Sequence, residues 1–377
     1  MSEAPSHNLL FVTGTRADFG KLEPLAIAAR DAGHKITFFV TGMHMMERYG
    51  LTKIEVARMQ GVEVVEFENQ QEGDRQDQVI ARTMEGFADY LQANTPDLAI
   101  VHGDRAEALA CALVCATNYI RCAHIEGGEV SGTIDESFRH CNTKLAWAHF
   151  VSSEQARDRV FAMGEDPSAV FLIGSPELDT HLRPSGVTLD EVKAHYDIPF
   201  EDYGIVVFHP VTSEQETIGQ QAQSLFKALD QTGKNFVVIL PNNDPGSDQI
   251  FDAIEALDPG RFRSLASMRF AYFSELLRNA SALIGNSSAG VREAPFIGTP
   301  SLDIGTRQTN RSQASSVFHA DADNADAITS FIDQAWGKRF ERDAGFGSGS
   351  AAQNFVDCLA DPAFWTRGFQ KNFRDIG

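Results

Sequence analysis

DLAIVHGDRAEALACALVCATNYIRCAHIEGG, residues 97–128, reads as strand, helix, strand. LAIV and CAHI are unbroken apolar runs rather than alternating ones. A strand apolar on both faces is covered on both faces, which is the mark of a parallel sheet. The segment between them, 105–117, is apolar at helical spacing. The same alternation extends outward. Toward the N-terminus lie LLFVTG (9–14), ITFFVTG (36–42), VEVVEF (62–67) and a helix over 76–93; toward the C-terminus lie a helix over 135–147, HFVSS (149–153) and VFLIG (170–174). The pattern pauses at HLRPSGVT (181–188), a Pro/Gly/Ser linker signal. It restarts with GIVVFHP (204–210), FVVILP (236–241), FRSLAS (262–267), ALIGN (282–286) and PSLDIG (300–305). The expected fold is α/β: two Rossmann-like doubly wound domains facing a cleft, over 1–182 and 189–357. The aromatic tail, 358–377, is expected to pack back on the first domain.

At 377 residues the chain is long for one core, and 43% hydrophobic with 22% charged residues is a globular composition. A formal charge of −20 argues against nucleic acid or an anionic membrane surface as partner. An anionic ligand would then need local positive charge, from arginines and helix N-termini. The five cysteines are odd in number and form no CxxC pair, which predicts reduced thiols and a cytoplasmic location. MSEAPSHNLLFV lacks the basic start and apolar length of a signal peptide, and no apolar run reaches the roughly 18 residues that span a bilayer.

Ligands of doubly wound sheets bind beyond the carboxyl ends of the strands, and in a two-domain chain the cleft is the natural site. In GTRADFG (14–20), Arg16 is placed for a phosphate or a sugar; the plain alternative is a turn with Asp18 as N-cap. His44, in TGMHMMERYG (41–50), is either a surface histidine or a ligand-facing one. In HGDRAEA (102–108), Asp104 and Arg105 are functional, or else Asp104 is an N-cap, or the two form an internal ion pair. HIEGGEVSGTIDESFRH (124–140) gathers Glu126, Glu129, Asp135, Glu136, Arg139 and His140, with Asp135 or Thr133 as a helix cap. One capping carboxylate is ordinary. Several together can push their pKa values apart, giving a site both an acid and a base. HExxH, DxD and Cys/His clusters are missing, so no metal is expected. His209, in FHPVTSE (208–214) at the start of the second domain's first helix, is an acid or base candidate, or a core histidine. In IGNSSAGVREAPFIGTP (284–300), the small residues of Asn286–Gly290 admit an anion to backbone amides at a helix N-terminus. Ser287 and Ser288 add hydroxyls, and Glu293 is placed to accept from a ribose diol. In IGTRQTNR (304–311), Arg307 and Arg311 supply the local positive charge, Arg307 for a phosphate; the plain alternative for Arg311 is a surface arginine.

Together, GTRADFG, HGDR, HIEGGEVSGTIDESFRH, FHPVT, GNSSAGVREAPFIGTP and GTRQTNR resemble the hydrolysing UDP-N-acetylglucosamine 2-epimerases, in order and over nearly the whole chain. The resemblance implies the glycosyltransferase-B architecture and an elimination followed by a hydration, yielding UDP and N-acetylmannosamine. It implies no nicotinamide or metal cofactor, and a homodimer or homotetramer. Asp104, Glu126 and Asp135 match the proton-transfer carboxylates, and His209 the histidine at the leaving phosphate. Arg16, Ser287, Ser288, Glu293 and Arg307 match nucleotide-binding positions. His44 and Arg105 match positions near the sugar, and Glu129 and Arg139 are placed with them. Some members carry serine where this chain has Gly20, so one hydroxyl contact is expected to be absent. The same branch includes enzymes for UDP- or GDP-linked 2,4-diacetamido sugars. A glycosyltransferase on this architecture would not need the carboxylates, and a non-catalytic binding module would have lost them.

Overall fold

A computed structural model describes residues 5–131, 134–183, 186–242, 244–372 and 374. Thirteen strands run through it, in two all-parallel sheets. The first is built from β1 (Asn8–Thr13), β2 (Lys35–Val40), β3 (Glu63–Glu66), β4 (Leu98–His102), β5 (Cys122–Ile125), β6 (Ala148–Val151) and β7 (Val170–Leu172). The second holds β8 (Gly204–Val207), β9 (Phe236–Ile239), β10 (Phe262–Leu265), β11 (Ala282–Gly285), β12 (Ser301–Ile304) and β13 (Val317–Ala320). Their orders are β3-β2-β1-β4-β5-β6-β7 and β10-β9-β8-β11-β12-β13. Each is the Rossmann order, and each reverses direction at one switch point, β1/β4 and β8/β11.

The chain divides into two compact units. One takes residues to Glu129, Asp135–Asp179 and everything from Phe346 on; the other takes Val130–Ile134 and Thr180–Gly345. The return to the first unit thus begins earlier than the expected 358. The reason is packing: Ala351, Ala352, Phe355 and Leu359 of the helix Ala351–Ala360 join Leu9, Phe11, Ile100 and Phe150 in one core. Asp179 caps that helix, accepting from the Ala351 and Ala352 amides, both at 2.8 Å.

Two expectations at the strand ends change. The second unit's first helix after β8 does not begin at His209; a 3-10 turn over Thr212–Glu214 intervenes and the helix is Ile218–Gln231. The helix expected after NSS is broken into Ser288–Val291 and Glu293–Ile297, with Arg292 off helical geometry at φ −121, ψ −61. Pro295 explains the break. It has no N–H to bond the Val291 carbonyl, and its ring would clash with it.

Candidate functional site

In the first unit the chemistry gathers on the carboxyl ends of β1, β4 and β5. Glu126 follows β5 with φ +71, a left-handed conformation that costs a non-glycine residue energy and marks an over-determined position. The residue is 5% exposed. Lys21 Nζ donates to Glu126 Oε2 at 2.9 Å and lies 3.6 Å from Glu177 Oε1. His102 Nε2 lies 2.7 Å from the same Glu126 oxygen, too poorly angled for a hydrogen bond. Lys21, His102 and Glu177 went unread in the sequence. Lys21 looks like an ordinary helix lysine, and its partner is 105 positions away.

Asp104 sits in the turn after β4, half-buried. It is not the N-cap. The helix Ala106–Thr117 takes Arg105 as its N-cap, without a side-chain cap. Asp104 Oδ2 accepts from the buried Arg139 guanidinium of the helix Asp135–Leu145. Arg105 Nε lies 3.7 Å from Glu107 Oε2. Asp135, half-buried, is the first residue of the helix that carries Arg139. The proposed Thr133 cap lies outside the described residues. Glu129 is buried and accepts from Ser152 Oγ at 2.5 Å.

His124 ties these pieces together. Its Nε2 meets the Gly103 carbonyl at 2.8 Å, which also accepts from Asn142 Nδ2 at 3.1 Å, while Nδ1 meets Thr143 Oγ1 at 3.2 Å. A carbonyl can only accept, so the proton sits on Nε2. Burial pushes this histidine down to about 3, so it is a neutral brace between the Asp104 turn and the Asp135 helix.

One residue falls elsewhere than expected. His44 is neither on the surface nor open to a sugar. It is 0% exposed, and its ring nitrogens meet Thr13 Oγ1 at 3.0 Å and Thr52 Oγ1 at 2.7 Å. Burial pushes it down to about 4. Arg16 turns its guanidinium to Glu55, Nε to Oε2 at 2.9 Å, with a second contact beside it. The N-cap of its helix is Thr15, with Asp18 completing the capping box at the third position.

In the second unit the residues meet at the β8/β11 switch point. Asn286, after β11, accepts from the His209 amide through Oδ1 at 2.7 Å and donates from Nδ2 to the His209 carbonyl at 2.8 Å. Its side chain therefore ties two strand ends together, with one oxygen lone pair and one N–H of the amide used there. Gly285 makes the approach possible: it has φ +130, and a Cβ would lie 2.0 Å from the Val207 carbonyl oxygen. His209 Nδ1 accepts from the Asn242 amide at 3.2 Å, placing the proton of the neutral ring on Nε2. Ser287 is the N-cap of the short helix Ser288–Val291, which contains Gly290. Arg307, half-buried, and Gln308 both donate to the Asn286 carbonyl, at 3.1 and 2.9 Å. Arg311 is buried rather than superficial, its guanidinium donating to Gln308 Oε1 at 2.7 Å. Glu293 is buried, with Oε2 2.8 Å from His181 Nε2.

The family model of the UDP-N-acetylglucosamine 2-epimerases matches residues 27–360. The UDP-N-acetylglucosamine 2-epimerase of Neisseria meningitidis serogroup B is 41% identical over 372 residues, 98% of this chain and 99% of that protein. The UDP-N,N'-diacetylbacillosamine 2-epimerase (hydrolyzing) of Legionella pneumophila is 31% identical over 93% of this chain and 95% of its own. Among solved structures, a UDP-GlcNAc 2-epimerase from Neisseria meningitidis bound to UDP-GlcNAc superposes with a TM-score of 0.78 at 18% identity, covering 93% of this chain and 99% of the other. With the carboxylates of β4 and β5 and the second unit's strand-end residues in place, the chain belongs to the UDP-N-acetylglucosamine 2-epimerase family.

Proposed function

We propose that this chain is a hydrolysing nucleotide-sugar 2-epimerase, converting UDP-N-acetylglucosamine and water into N-acetylmannosamine and UDP. The observation that carries the reading is Glu126, held in a strained backbone with Lys21 and His102 against its carboxylate, with Asp104 and Asp135 in the same unit. Such a set suits a reaction that removes and returns a weakly acidic proton. The hydrolysing outcome draws support from the Legionella relative, whose likeness covers nearly the whole chain.

The reaction balances as follows. A carboxylate takes the C2 proton, and the C2–H electron pair forms a C1=C2 bond. The C1–O bond to UDP breaks, and UDP leaves with the electron pair of that C1–O bond. Water then adds its oxygen to C1 and gives up one proton to a carboxylate, while the C1=C2 pair takes a proton at C2 on the opposite face. Asp104, Glu126 and Asp135 share the proton steps. In the second unit, His209 offers Nε2–H to the leaving diphosphate, and Arg307, Ser287 and Ser288 stabilise its charge. Glu293 accepts from the ribose. The second reading, a UDP-linked 2,4-diacetamido sugar as substrate, is favoured by what the Legionella enzyme is named for.

Chromatography of the purified protein's products from UDP-N-acetylglucosamine tests this, with the diacetamido sugar nucleotide run in parallel. UDP and N-acetylmannosamine in equal amounts are expected. UDP with N-acetylglucosamine alone, or N-acetylmannosamine still bound to UDP, would contradict the reading.

A further inference from the structure

His181 opens the linker signal HLRPSGVT, yet its side chain is buried in the second unit. It is 0% exposed. Its Nε2 meets Glu293 Oε2 at 2.8 Å, and its Nδ1 meets Ser274 Oγ at 2.7 Å. The rings of Phe270 and Phe296 flank it at 5.6 and 6.5 Å, and its carbonyl accepts from the Arg278 guanidinium. A carboxylate only accepts, so Nε2 carries the proton toward Glu293; in the neutral ring Nδ1 then accepts from the serine hydroxyl.

We propose that His181 is a positioning residue that sets the Glu293 carboxylate for recognition of the ribose hydroxyls; this rests on the reading of Glu293 given above. Glu293 opens the five-residue helix after the Arg292 break, so its backbone alone fixes its side chain poorly. The imidazole ties down Oε2. Among the described residues no hydrogen bond or ion pair reaches Oε1, which leaves that oxygen as the acceptor for a ligand hydroxyl. Ser274, held in the helix Phe270–Asn279, fixes the tautomer and so the direction of the donated hydrogen.

The test is calorimetric titration with UDP and with 2′-deoxy-UDP, which lacks one of the two hydroxyls. In the wild type, UDP is expected to bind at least about tenfold more tightly than the deoxy ligand, the worth of a hydrogen bond to a charged acceptor. H181L is expected to lose most of that preference, with little change for the deoxy ligand. H181Q, whose amide reaches the Nε2 position, is expected to keep it. Adding H181L to E293Q is expected to cost nothing further. Should H181L fail to fold by circular dichroism, H181N carries the test, because its amide reaches Ser274 but not Glu293. Equal weakening of both ligands, or an unchanged preference, would overturn the positioning role while leaving the nucleotide site standing. A wild type that binds UDP no better than the deoxy ligand would overturn the ribose reading and this proposal with it.

Discussion

Lys21 stands between two buried carboxylates, Glu126 and Glu177, and is itself 8% exposed. Removing it leaves their negative charge with one fewer buried cation, the costly half of a broken buried pair. K21M should lose about 3–5 kcal/mol in chemical denaturation and lose turnover as well; K21R should recover part of both. Wild-type stability in K21M would contradict the assigned pairing. Asp135→Asn addresses the chemistry more directly. It should lower kcat by roughly 10²–10⁴ with an unchanged melting temperature, because a positioned proton-transfer group is worth about that much. Asp104, Glu126 and Asp135 were legible in sequence because each follows an apolar strand or opens a helix within a few residues. Lys21, His102, Glu177 and His181 were not, because their meaning lies in partners brought close by the topology. The opposite error occurs at His44, which sits among functional-looking neighbours yet is buried with both ring nitrogens against protein hydroxyls.

At the scale of elements, alternation placed twelve of the thirteen strands; β13 was missed because VFHA is short, half-buried and at the sheet edge. The ends of elements were harder to read. Pro295 breaks a helix that its neighbours favour, and Gly285 is demanded by a strand contact 78 residues back in sequence. G285A should therefore abolish soluble expression or cost more than about 3 kcal/mol, since its methyl would strike the Val207 carbonyl. The helix Asp135–Leu145 is held from the far end by the tail. Lys371 Nζ donates to the Thr143 and Ala146 carbonyls at 3.0 and 2.8 Å and pairs with Glu165. Burial would raise Glu165, but hydrogen bonds from His149, Lys144 and Lys371 outweigh it and hold the carboxyl at about 2. K371M should destabilise the protein by about 1–3 kcal/mol, and lower turnover through the helix that begins with Asp135. An unaltered melting curve would show that the tail is not needed there.

For the whole molecule, acid is the revealing perturbation. His44 and His124 are held by burial at about 4 and about 3, below the ordinary 6.5. The folded chain binds fewer protons than the unfolded one in that window, so the stability they contribute is complete above pH 6.5 and drains as pH falls through it. At pH 5 each should have lost about 2 kcal/mol. Asp303 works the other way. Burial pushes it up to about 6, so its buried charge weakens the fold above that pH and the penalty lifts as pH falls, returning about 1 kcal/mol at pH 5. Denaturation at pH 7.5 and 5 should therefore show a net loss of about 3 kcal/mol from these groups, smaller in H44Q. Equal stability at the two pH values would contradict the neutral, buried histidines.

The central claim is elimination followed by hydration, and proton NMR of the reaction with UDP-N-acetylglucosamine in heavy water addresses it in one sample. The account predicts free UDP together with N-acetylmannosamine carrying deuterium at C2, because the abstracted proton is replaced from solvent. N-acetylmannosamine with its original C2 proton, or UDP-N-acetylmannosamine with no free UDP, would contradict it.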